Sequence, residues 1–523
     1  MLGNRYGSGT DRVEIDGGKR TVKRAMLLVL VTLGCLLHAA SVLAAQSRAA
    51  QLYDRHCAAC HGAEGDGQGP AAYLLSPKPR DFTSGTYKFR STPSGSPPTD
   101  ADLLRTVQRG IPGTPMPMWD RLSETDQVAL VSYVKSFSDI FEDEDAMEPV
   151  IEITSPPAVS EASIRAGEKI YEEMKCADCH GLGGKGDGPS SPTLKDDMGR
   201  PIRPYDFTRG PGLMKGGASQ QDIYRTFVTG LDGTPMPGYE DSMNEIERWQ
   251  LVNYVQSLSA NQGATLTATT PTLQALQAET DPSIDQDDPI WQRAPATTVP
   301  TRPLWARAAW VDAVKVQAIV GPGEIAYRFE WRDPQMDEQI VRQRQFRDAV
   351  AIQFVPEGSP GDYMGIPFIG MGDEESTVTI LHWKADWEAD IAGGFRVAEE
   401  QNESAINQMT AGTDLSTDRA FLAGLAAGNP LSERSRVTPV ETLVAKGFGT
   451  LTSPPKAEQV VKGRGMWRDG VWTVVIHQPL DSALAPRLQQ GESLPVAVAV
   501  WDGAADDRDG QKSVSQWLEL VVE

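Results

Sequence analysis

Two short motifs in the first half of the chain place a pair of thiols beside an imidazole. The residues are Cys57, Cys60 and His61 in the first motif and Cys176, Cys179 and His180 in the second. In such a C-x-x-C-H run the thiols can add to the vinyl groups of a haem as thioethers, and the adjacent histidine then reaches the iron. A zinc site would need four ligands per motif, and a redox dithiol would not need the histidine. The motifs therefore predict two covalently bound haems c.

The opposite side of each iron needs a second ligand, and methionine is the best candidate. The chain has six histidines, with none between His180 and His382, so the second motif has no other histidine nearby. Met116 and Met236 lie at matching positions in two Gly-Thr-Pro-Met-Pro runs, where prolines restrict the backbone on both sides. Met118 is a rival for Met116, and ordinary core packing is the alternative for each methionine. Iron held by histidine and methionine has a raised potential, which predicts electron transfer and argues against a dihaem peroxidase.

These motifs belong to an internal duplication, because residues 56–137 align with residues 175–258. In each copy the motif is followed by an Asp-Phe-Thr triplet, the methionine loop and a segment with the i, i+4, i+7 apolar spacing of a helix. Two polar pairs can cap these last helices: Ser123 with Asp126, and Asn244 with Glu247. This order of elements resembles class I cytochrome c. The resemblance implies two small all-α domains.

The pattern of apolar residues changes to a period of two from about residue 284 onward. Alternating residues at 314–320 and 325–331 flank Gly321-Pro322-Gly323, which predicts a β-hairpin. Further alternating runs lie at 350–355, 377–383, 471–476, 496–501 and 517–522. Residues 401–445 are richer in alanine, serine and polar residues and predict a long, partly helical excursion. We therefore expect a mostly β, sandwich-like C-terminal domain.

Several stretches of this domain resemble the haem-b-binding domain of ethylbenzene dehydrogenase gamma subunits. They are Asp285–Trp291, Pro367–Asp373 followed by Leu381–Lys384, and Val500–Gly503 followed by Gly510–Trp517. Related gamma subunits serve dimethyl sulfide dehydrogenase, selenate and chlorate reductases, and nitrite oxidoreductase. The resemblance implies a non-covalent haem b, held at one end of a β-sandwich between Met371 and Lys512. An apolar pocket would favour this ligation, because burial lowers the pKa of a lysine and frees its amine for iron.

Without that resemblance, the same residues have ordinary interpretations. Lys512 follows the charged run Asp506–Asp509 and would be a solvated loop lysine, while Met371 would be a packed loop residue. His382 is a possible substitute ligand. On an alternating strand beside Trp383, however, it is more commonly a core histidine whose hydrogen bonds are satisfied.

The charge of the chain and its N-terminus indicate where the protein works. Lys+Arg 49 against Asp+Glu 71 gives a net charge of -22, which repels a phosphate backbone and argues against nucleic acid as a partner. Residues 1–45 predict a signal peptide, since basic residues precede an apolar stretch at 25–37 and small residues follow it. The segment 25–45 could instead stay as a membrane anchor. We expect an exported, periplasmic protein.

Together these patterns divide the chain into a signal segment, two cytochrome c domains and a haem b domain. The divisions are 1–45 for the signal, 46–140 and 161–260 for the cytochrome c domains, 282–523 for the haem b domain, and linkers at 141–160 and 261–281. We predict that the chain is not an enzyme but an electron-transfer subunit with two haems c and one haem b. Its partners would be the molybdenum and iron–sulfur subunits of a dimethyl sulfoxide reductase-family enzyme, and a soluble or membrane electron carrier.

The candidate partner enzymes are a nitrite oxidoreductase and a nitrate or chlorate reductase. The alternative function treats the β domain as a relative of family-nine carbohydrate-binding modules, with Trp383 and Trp501 as sugar platforms. The chain would then be a dihaem cytochrome c that carries a carbohydrate-binding-like module.

Overall fold

The computed structural model describes residues 47–259, 269–307, 309–340, 344–356, 365–394, 429–430, 433, 435–488 and 493–522. The predicted signal segment 1–45 lies outside these ranges, as does the part of the predicted excursion at 401–428. Within the ranges, no helix combines the length and the apolar composition that a membrane span requires.

Helices dominate the first half of the described chain. They are α1 (47–56), α2 (Ala58–His61), α3 (Asp100–Arg109), α4 (Glu124–Lys135), α5 (Glu161–Glu173), α6 (Ala177–His180), α7 (Gln220–Thr229) and α8 (Glu245–Ser257), with α9 (Ala385–Gly393) in the second half. The set α1–α4 forms domain 1 and the set α5–α8 forms domain 2, in the same order and with nearly the same lengths. The predicted duplication is therefore present in the fold.

Capping residues fix where the later helices of each domain begin. The Ser123 side chain accepts the Asp126 N–H at the start of α4, and Asn244 and Glu247 form a capping box at the start of α8. Both caps were expected from the sequence. Equivalent capping boxes begin α3 and α7, where Asp102 and Asp222 are the acidic partners. Each such cap stabilises a helix by about 1 kcal/mol.

The first and last helices of each domain cross through paired aromatic residues. The rings of Tyr53 and Tyr133 lie 5.3 Å apart in domain 1, and those of Tyr171 and Tyr254 lie 5.2 Å apart in domain 2. In domain 2 the helices approach so closely at Gly167 that an added Cβ would lie 2.0 Å from the Gln250 carbonyl oxygen. Only glycine fits there, because any side chain would collide with the facing backbone.

The second half of the chain folds into strands. They are β1 (Thr272–Gln277), β2 (Thr297–Pro300), β3 (Arg302–Pro303), β4 (Ala313–Val320), β5 (Glu324–Arg332), β6 (Ala349–Phe354), β7 (Val378–Lys384), β8 (Val440–Ala445), β9 (Lys462–Arg468), β10 (Val471–Pro479), β11 (Ser493–Trp501), β12 (Ser513–Val514) and β13 (Leu518–Val522). The main path of hydrogen-bonded neighbours runs β8-β7-β6-β11-β13-β1-β4-β5-β10-β9.

This sheet folds over to make two facing layers. Apolar side chains from both halves of the path meet in one buried cluster, which includes Val350 and Val496 from one half and Phe329 and Val474 from the other. The expected sandwich-like β domain is confirmed, with the two layers joined into a continuous sheet by parallel pairing of β1 with β13 and with β4. The predicted hairpin is present as β4 and β5, with Val320 opposite Ile325.

Two parts of the sequence division need correction. Strand β1, Thr272–Gln277, lies within the segment 261–281 that was predicted to be a linker, yet it bridges β13 and β4 in the middle of the sheet. Strand β8, Val440–Ala445, closes the segment 401–445 that was predicted to be a partly helical excursion, and it pairs with β7. Both strands are short and lack strict alternation, so their pairing in the sheet decides their structure.

Arg90 fastens domain 2 to domain 1. Its side chain is only 1% exposed, and Nη2 donates to the Thr229 carbonyl at 2.6 Å and to Asp232 Oδ1 at 2.8 Å. Asp232 also accepts hydrogen bonds from Ser94 Oγ at 2.7 Å and from the Gly95 N–H at 2.9 Å. The methionine loop of domain 2 is therefore held against the segment 86–95 of domain 1.

Candidate functional site

The histidine of each C-x-x-C-H motif is oriented by its own domain. His61 Nδ1 lies 2.9 Å from the Arg80 carbonyl oxygen, and His180 Nδ1 lies 3.2 Å from the Tyr205 carbonyl oxygen. A carbonyl only accepts, so Nδ1 carries the proton and the lone pair of Nε2 is left for a metal. Burial lowers the pKa of both imidazoles, which keeps them neutral.

A phenylalanine ring stacks on each of these two imidazoles. Phe82 stacks on His61 with centroids 4.5 Å apart, and Phe207 stacks on His180 at 4.6 Å. These phenylalanines belong to the Asp-Phe-Thr triplets of the repeat. The sequence showed the triplets but gave them no function. Their position beside each histidine explains why the triplet recurs.

The motif cysteines lie in surroundings that disfavour thiolate. Burial raises the pKa of Cys57 and Cys60 to about 12 and that of Cys176 to about 11. A redox dithiol needs a lowered thiol pKa, so this environment argues against the redox alternative. Among the described residues, the one cluster of three or more metal-ligating side chains is Asp333, Asp348 and Asp502, which includes no motif residue. Neither described motif thus brings three such ligand atoms within 4.8 Å of one another.

The methionine loops place one sulfur in each domain near the motif. The Met116 N–H donates to Thr114 Oγ1 at 3.2 Å, and the Met236 N–H donates to Thr234 Oγ1 at the same distance. Met116 lines a cavity together with Cys57 and His61, whereas the rival Met118 is 6% exposed and does not line it. In domain 2, Met236 and Cys176 pack against the same apolar cluster.

This cavity extends from domain 1 into the β domain and has a volume of about 1150 Å³. Its domain 1 walls carry the first haem motif and the segment 73–80. Its β-domain walls carry Met371, His382 and Lys512. The residues that the sequence assigned to two separate haems thus line one continuous space.

The β-domain floor of the cavity has small side chains at its centre, with the larger Gln353 and Trp501 on the same face at its ends. Strands β6 and β11 pair with Ala351 opposite Ala499, and Ala349 and Ala497 occupy the neighbouring positions on the same face. The intervening residues of both strands are large and point to the opposite face, into the core of the sandwich. A flat, apolar shelf of alanines fits a planar macrocycle, because a larger side chain would occupy its space. The alternation of alanine with larger apolar residues along these strands is the sequence signal for this shelf.

Met371 reaches the cavity from a strained loop. Its φ is 80°, in the left-handed region that side chains other than glycine rarely adopt. Its amide donates to the Ile369 carbonyl at 3.1 Å and its carbonyl accepts the Gly447 N–H at 2.8 Å. Strained residues of this kind concentrate at functional sites because the surrounding structure has to hold them in place. Met371 is therefore more than a loosely packed loop residue.

Lys512 also faces the cavity and is not the solvated loop lysine of the ordinary interpretation. Burial lowers the pKa of its amine to about 8, against the opposing effect of Asp509. Nζ lies 4.8 Å from the centre of the Trp501 ring. Since a neutral amine is the form that binds iron, the lowered pKa suits a ligand.

His382 differs from the expected core histidine with satisfied hydrogen bonds. Its ring stacks on Trp501 at 4.6 Å and lines the cavity, and its buried Nε2 has no hydrogen-bond partner in the described structure. Burial is the main cause that lowers the pKa of His382 well below its usual range. The nearby cations Lys384, Arg347 and Lys512 act in the same direction. His382 lies opposite Ala351 in the sheet, so its imidazole borders the alanine shelf.

Basic side chains from all three domains line the cavity. They are Arg80 and Lys88 of domain 1, Lys215 of domain 2 and Arg302 of strand β3. Burial, together with nearby Arg80 and Lys215, lowers the pKa of Lys88 to about 8. In a chain of net charge -22, such a cluster could bind the carboxylates of a haem.

Trp383 and Trp501, the suggested sugar platforms, are 0% and 8% exposed.

Two family models match separate parts of the chain. The model described as ethylbenzene dehydrogenase matches residues 288–513. The model described as cytochrome c matches residues 46–138 and 164–259. The matched ranges agree with the β domain and with the two helical domains.

Three curated relatives match about 45% of the chain each. The chain is 30% identical over 253 residues to the dimethylsulfide dehydrogenase subunit gamma of Rhodovulum sulfidophilum, which is 45% of this chain and 73% of that protein. It is 26% identical over 240 residues to the chlorate reductase subunit gamma of Ideonella dechloratans, 44% of this chain and 76% of the relative. A putative respiratory nitrate reductase heme subunit of Haloferax mediterranei is 26% identical over 238 residues, 44% of this chain and 65% of the relative.

Proposed function

The chain belongs to the family of ethylbenzene dehydrogenase-type gamma subunits, and from this premise we propose that it is an exported electron-transfer subunit with two haems c and one haem b. It would relay electrons between a periplasmic molybdoenzyme and a respiratory carrier. Nitrite oxidation and nitrate or chlorate reduction are the candidate reactions of the partner. The partner would consist of a molybdenum subunit and an iron–sulfur subunit.

The observation that carries the proposal is the single cavity shared by both sets of candidate ligands. Cys57, His61 and Met116 line one part of it, while Met371 and Lys512 line another. When bound, a haem supplies an iron that takes up and releases one electron. The protein's own residues supply the rest, by holding each ligand atom in place and by excluding water.

On the haem c side, covalent attachment would fall to Cys57, Cys60, Cys176 and Cys179. His61 and His180 would bind iron through Nε2, because Nδ1–H donates a hydrogen bond to a backbone carbonyl. Met116 and Met236 would supply the opposite ligands from loops that threonine hydroxyls fasten. A histidine and methionine pair favours the reduced iron, which suits a carrier of respiratory electrons.

On the haem b side, Met371 and Lys512 would be the ligands and the alanine shelf the seat. Loss of the proton that iron binding requires costs Lys512 less free energy than an ordinary lysine, since burial lowers the pKa of its amine to about 8. The relatives' names describe gamma and heme subunits of oxidoreductases, which supports a relay function over a catalytic one. Each cysteine of the described chain stands in a haem motif, so none is left there for an iron–sulfur cluster.

A pyridine haemochrome assay with acid–acetone extraction tests the proposal. We expect two covalent haems and one extractable haem b per chain after expression with haem c maturation. Lys512→Ala should remove the extractable haem and keep both covalent ones, while Lys462→Ala, on the exposed edge strand β9, should change neither.

Two results would contradict parts of the assignment. If Lys512→Ala keeps haem b and His382→Ala loses it, the ligand is the histidine. If the wild-type protein has no extractable haem, the gamma-subunit function fails. The chain would then be a dihaem cytochrome c with a carbohydrate-binding-like module.

A further inference from the structure

We infer that the haem of domain 1 is the intermediate in the order of electron transfer, so that electrons pass between the β domain and domain 2 through domain 1. This inference rests on the proposed function and adds the order of the three sites. It follows from which loops touch, because domain 1 contacts the candidate ligand loops of both neighbours.

The first contact is a hydrogen-bonded route between the candidate ligands His61 and Lys512. His61 Nδ1 donates to the Arg80 carbonyl at 2.9 Å. Four residues earlier, the Ser76 N–H donates to the Leu304 carbonyl at 3.0 Å, and the Leu304 N–H donates to the Lys512 carbonyl at 2.9 Å. Three hydrogen bonds and the short backbone segment 76–80 thus link the two ligands.

Side chains pack closely around this route. A Cβ on Gly510, two residues before Lys512, would lie 3.5 Å from Leu74 Cδ2. The amine of Lys78 lies 5.8 Å from the centre of the Trp305 ring. Both Leu74 and Lys78 also line the shared cavity. Close packing shortens the gaps that an electron must cross between the β domain and domain 1.

The second contact joins domain 1 to the methionine loop of domain 2. Asp232, four residues before Met236, accepts hydrogen bonds from Arg90, Ser94 and Gly95 of domain 1. A Cβ on Gly233 would lie 3.2 Å from Thr86 Cγ2. The loop that carries the candidate ligand Met236 therefore rests directly on domain 1.

A direct route from domain 2 to the β domain has weaker support in the described structure. Arg209 lies 4.9 Å from the centre of the Trp310 ring, and Trp310 does not line the cavity that contains Met371 and Lys512. Of the described residues of domain 2, Lys215 alone lines that cavity. Neither His180 nor Met236 reaches it.

Flash reduction from a defined starting point tests the order. A ruthenium photosensitiser is attached to a cysteine introduced in domain 2 by Lys185→Cys, and the arrival of the electron at haem b is followed at its own absorption band. Met116→His keeps a six-coordinate haem in domain 1 but lowers its potential. We expect electron transfer to haem b to slow by roughly tenfold for each 59 mV of lowered potential, because the haem of domain 1 is then rarely reduced.

The reciprocal experiment supplies the matched control. The label is placed in domain 1 by Glu64→Cys, and Met236→His alters domain 2 instead. Arrival at haem b should then keep the wild-type rate, because domain 2 is not on the way. Covalent haem staining verifies that both variants retain two haems c. If Met116→His does not assemble, Met116→Ala with added imidazole makes the same change of ligand.

Two results would overturn the order: an unchanged rate for Met116→His from domain 2, or a slower rate for Met236→His from domain 1. Failure of the proposed function looks different. In that case the wild-type protein has no haem b band, and no arrival can be measured in any variant.

Discussion

At the scale of single residues, the candidate haem b site depends on side chains held in unfavourable states. Met371 has a left-handed backbone, and the buried Nε2 of His382 has no hydrogen-bond partner in the described structure. Lys512 has a lowered amine pKa. Each of these states costs folding free energy, so each indicates a function that outweighs stability.

The left-handed backbone of Met371 leads to a prediction that reverses the usual order of two substitutions. Alanine normally stabilises a folded chain relative to glycine, but at φ 80° its Cβ clashes and glycine is favoured. We expect Met371→Gly to be about 1 kcal/mol more stable than Met371→Ala, with haem b lost from both. Urea unfolding and haem extraction on the pair measure this. Equal stability, or a more stable alanine variant, would show that the loop relaxes and stores no strain.

A buried group of carboxylates predicts how the stability of the β domain depends on pH. Asp348 is 0% exposed, and burial together with nearby Asp333 raises its pKa to about 8. Burial and Asp502 raise the pKa of Asp333 to about 6. The folded chain therefore binds more protons than the unfolded chain, whose aspartates titrate near pH 3.9. Stability should fall as the pH rises from about 4 to 8, with up to about 1.4 kcal/mol lost per pH unit for each proton.

Comparison of the wild type with Asp348→Asn isolates the part of the pH dependence of stability that is due to Asp348. The carboxylate accepts hydrogen bonds from the Asp337 and Gly503 amides and from Trp472 Nε1, and asparagine keeps one acceptor without the charge. Urea unfolding between pH 5 and pH 8 should show a flatter profile for the variant. A wild-type stability that increases over this window would contradict the raised pKa.

The sequence predicted the chemistry of the haem c residues better than that of the haem b residues. Spacing alone identifies Cys57, Cys60 and His61, because thioether attachment needs adjacent residues. Lys512 and Met371 came only from a family resemblance. Their burial, strain and position in one cavity depend on loops far apart in sequence, which local patterns do not describe.

At the scale of elements, the faces of strands β6 and β11 decide what the β domain can hold. One face presents large apolar residues to the core, and the other presents alanines to the cavity. The alternation predicted strands correctly. It could not show which face meets solvent, core or ligand, since that depends on the loops and on domain 1 that cover the shelf.

The shelf makes a direct prediction about haem b. Ala351→Leu places a large side chain where the macrocycle would lie, so haem b should be lost. The fold should persist because the new side chain enters a cavity and not the packed core. Ala351→Gly keeps the space open and serves as the control. The extracted haem per chain, with circular dichroism as the check on folding, measures both. Normal haem b content in Ala351→Leu would mean that the haem binds elsewhere.

Elements that depend on distant pairing were the ones missed. The hairpin of β4 and β5 carries its own turn and its own alternation, so the sequence identified it. Strand β1 is paired with β13 and β4 and gains its order from strands far along the chain. Its predicted linker character reflected composition, which does not report such pairing.

At the scale of the whole molecule, one buried guanidinium couples the two helical domains. Besides its contacts with Thr229 and Asp232, Arg90 donates to the carbonyls of Tyr87 and Pro93 within domain 1. All three guanidinium nitrogens of Arg90 therefore donate hydrogen bonds, and domain 2 provides two of the four acceptors. The duplication was visible in the sequence, but the docking of one copy on the other was not, because Arg90 and Asp232 have no counterparts that a repeat would reveal.

Removing this guanidinium should separate the domains. We expect Arg90→Ala to cost about 2–3 kcal/mol and to split a shared thermal transition into two, since a buried ion-pair partner is left unpaired. Differential scanning calorimetry measures the transitions. Arg165→Ala, which removes a pair with side chains 68% and 90% exposed, should change the stability by no more than about 0.5 kcal/mol. A single unshifted transition in Arg90→Ala would show that the domains are coupled elsewhere.

The segment 73–80 forms part of the wall of the shared cavity and also holds the carbonyl that orients His61. One segment therefore serves two sites. Under the proposed function, a change that displaces segment 73–80 should disturb the ligation of the first haem c and the binding of haem b together. The two cofactors would then depend on each other through the protein backbone, although their ligands come from different domains.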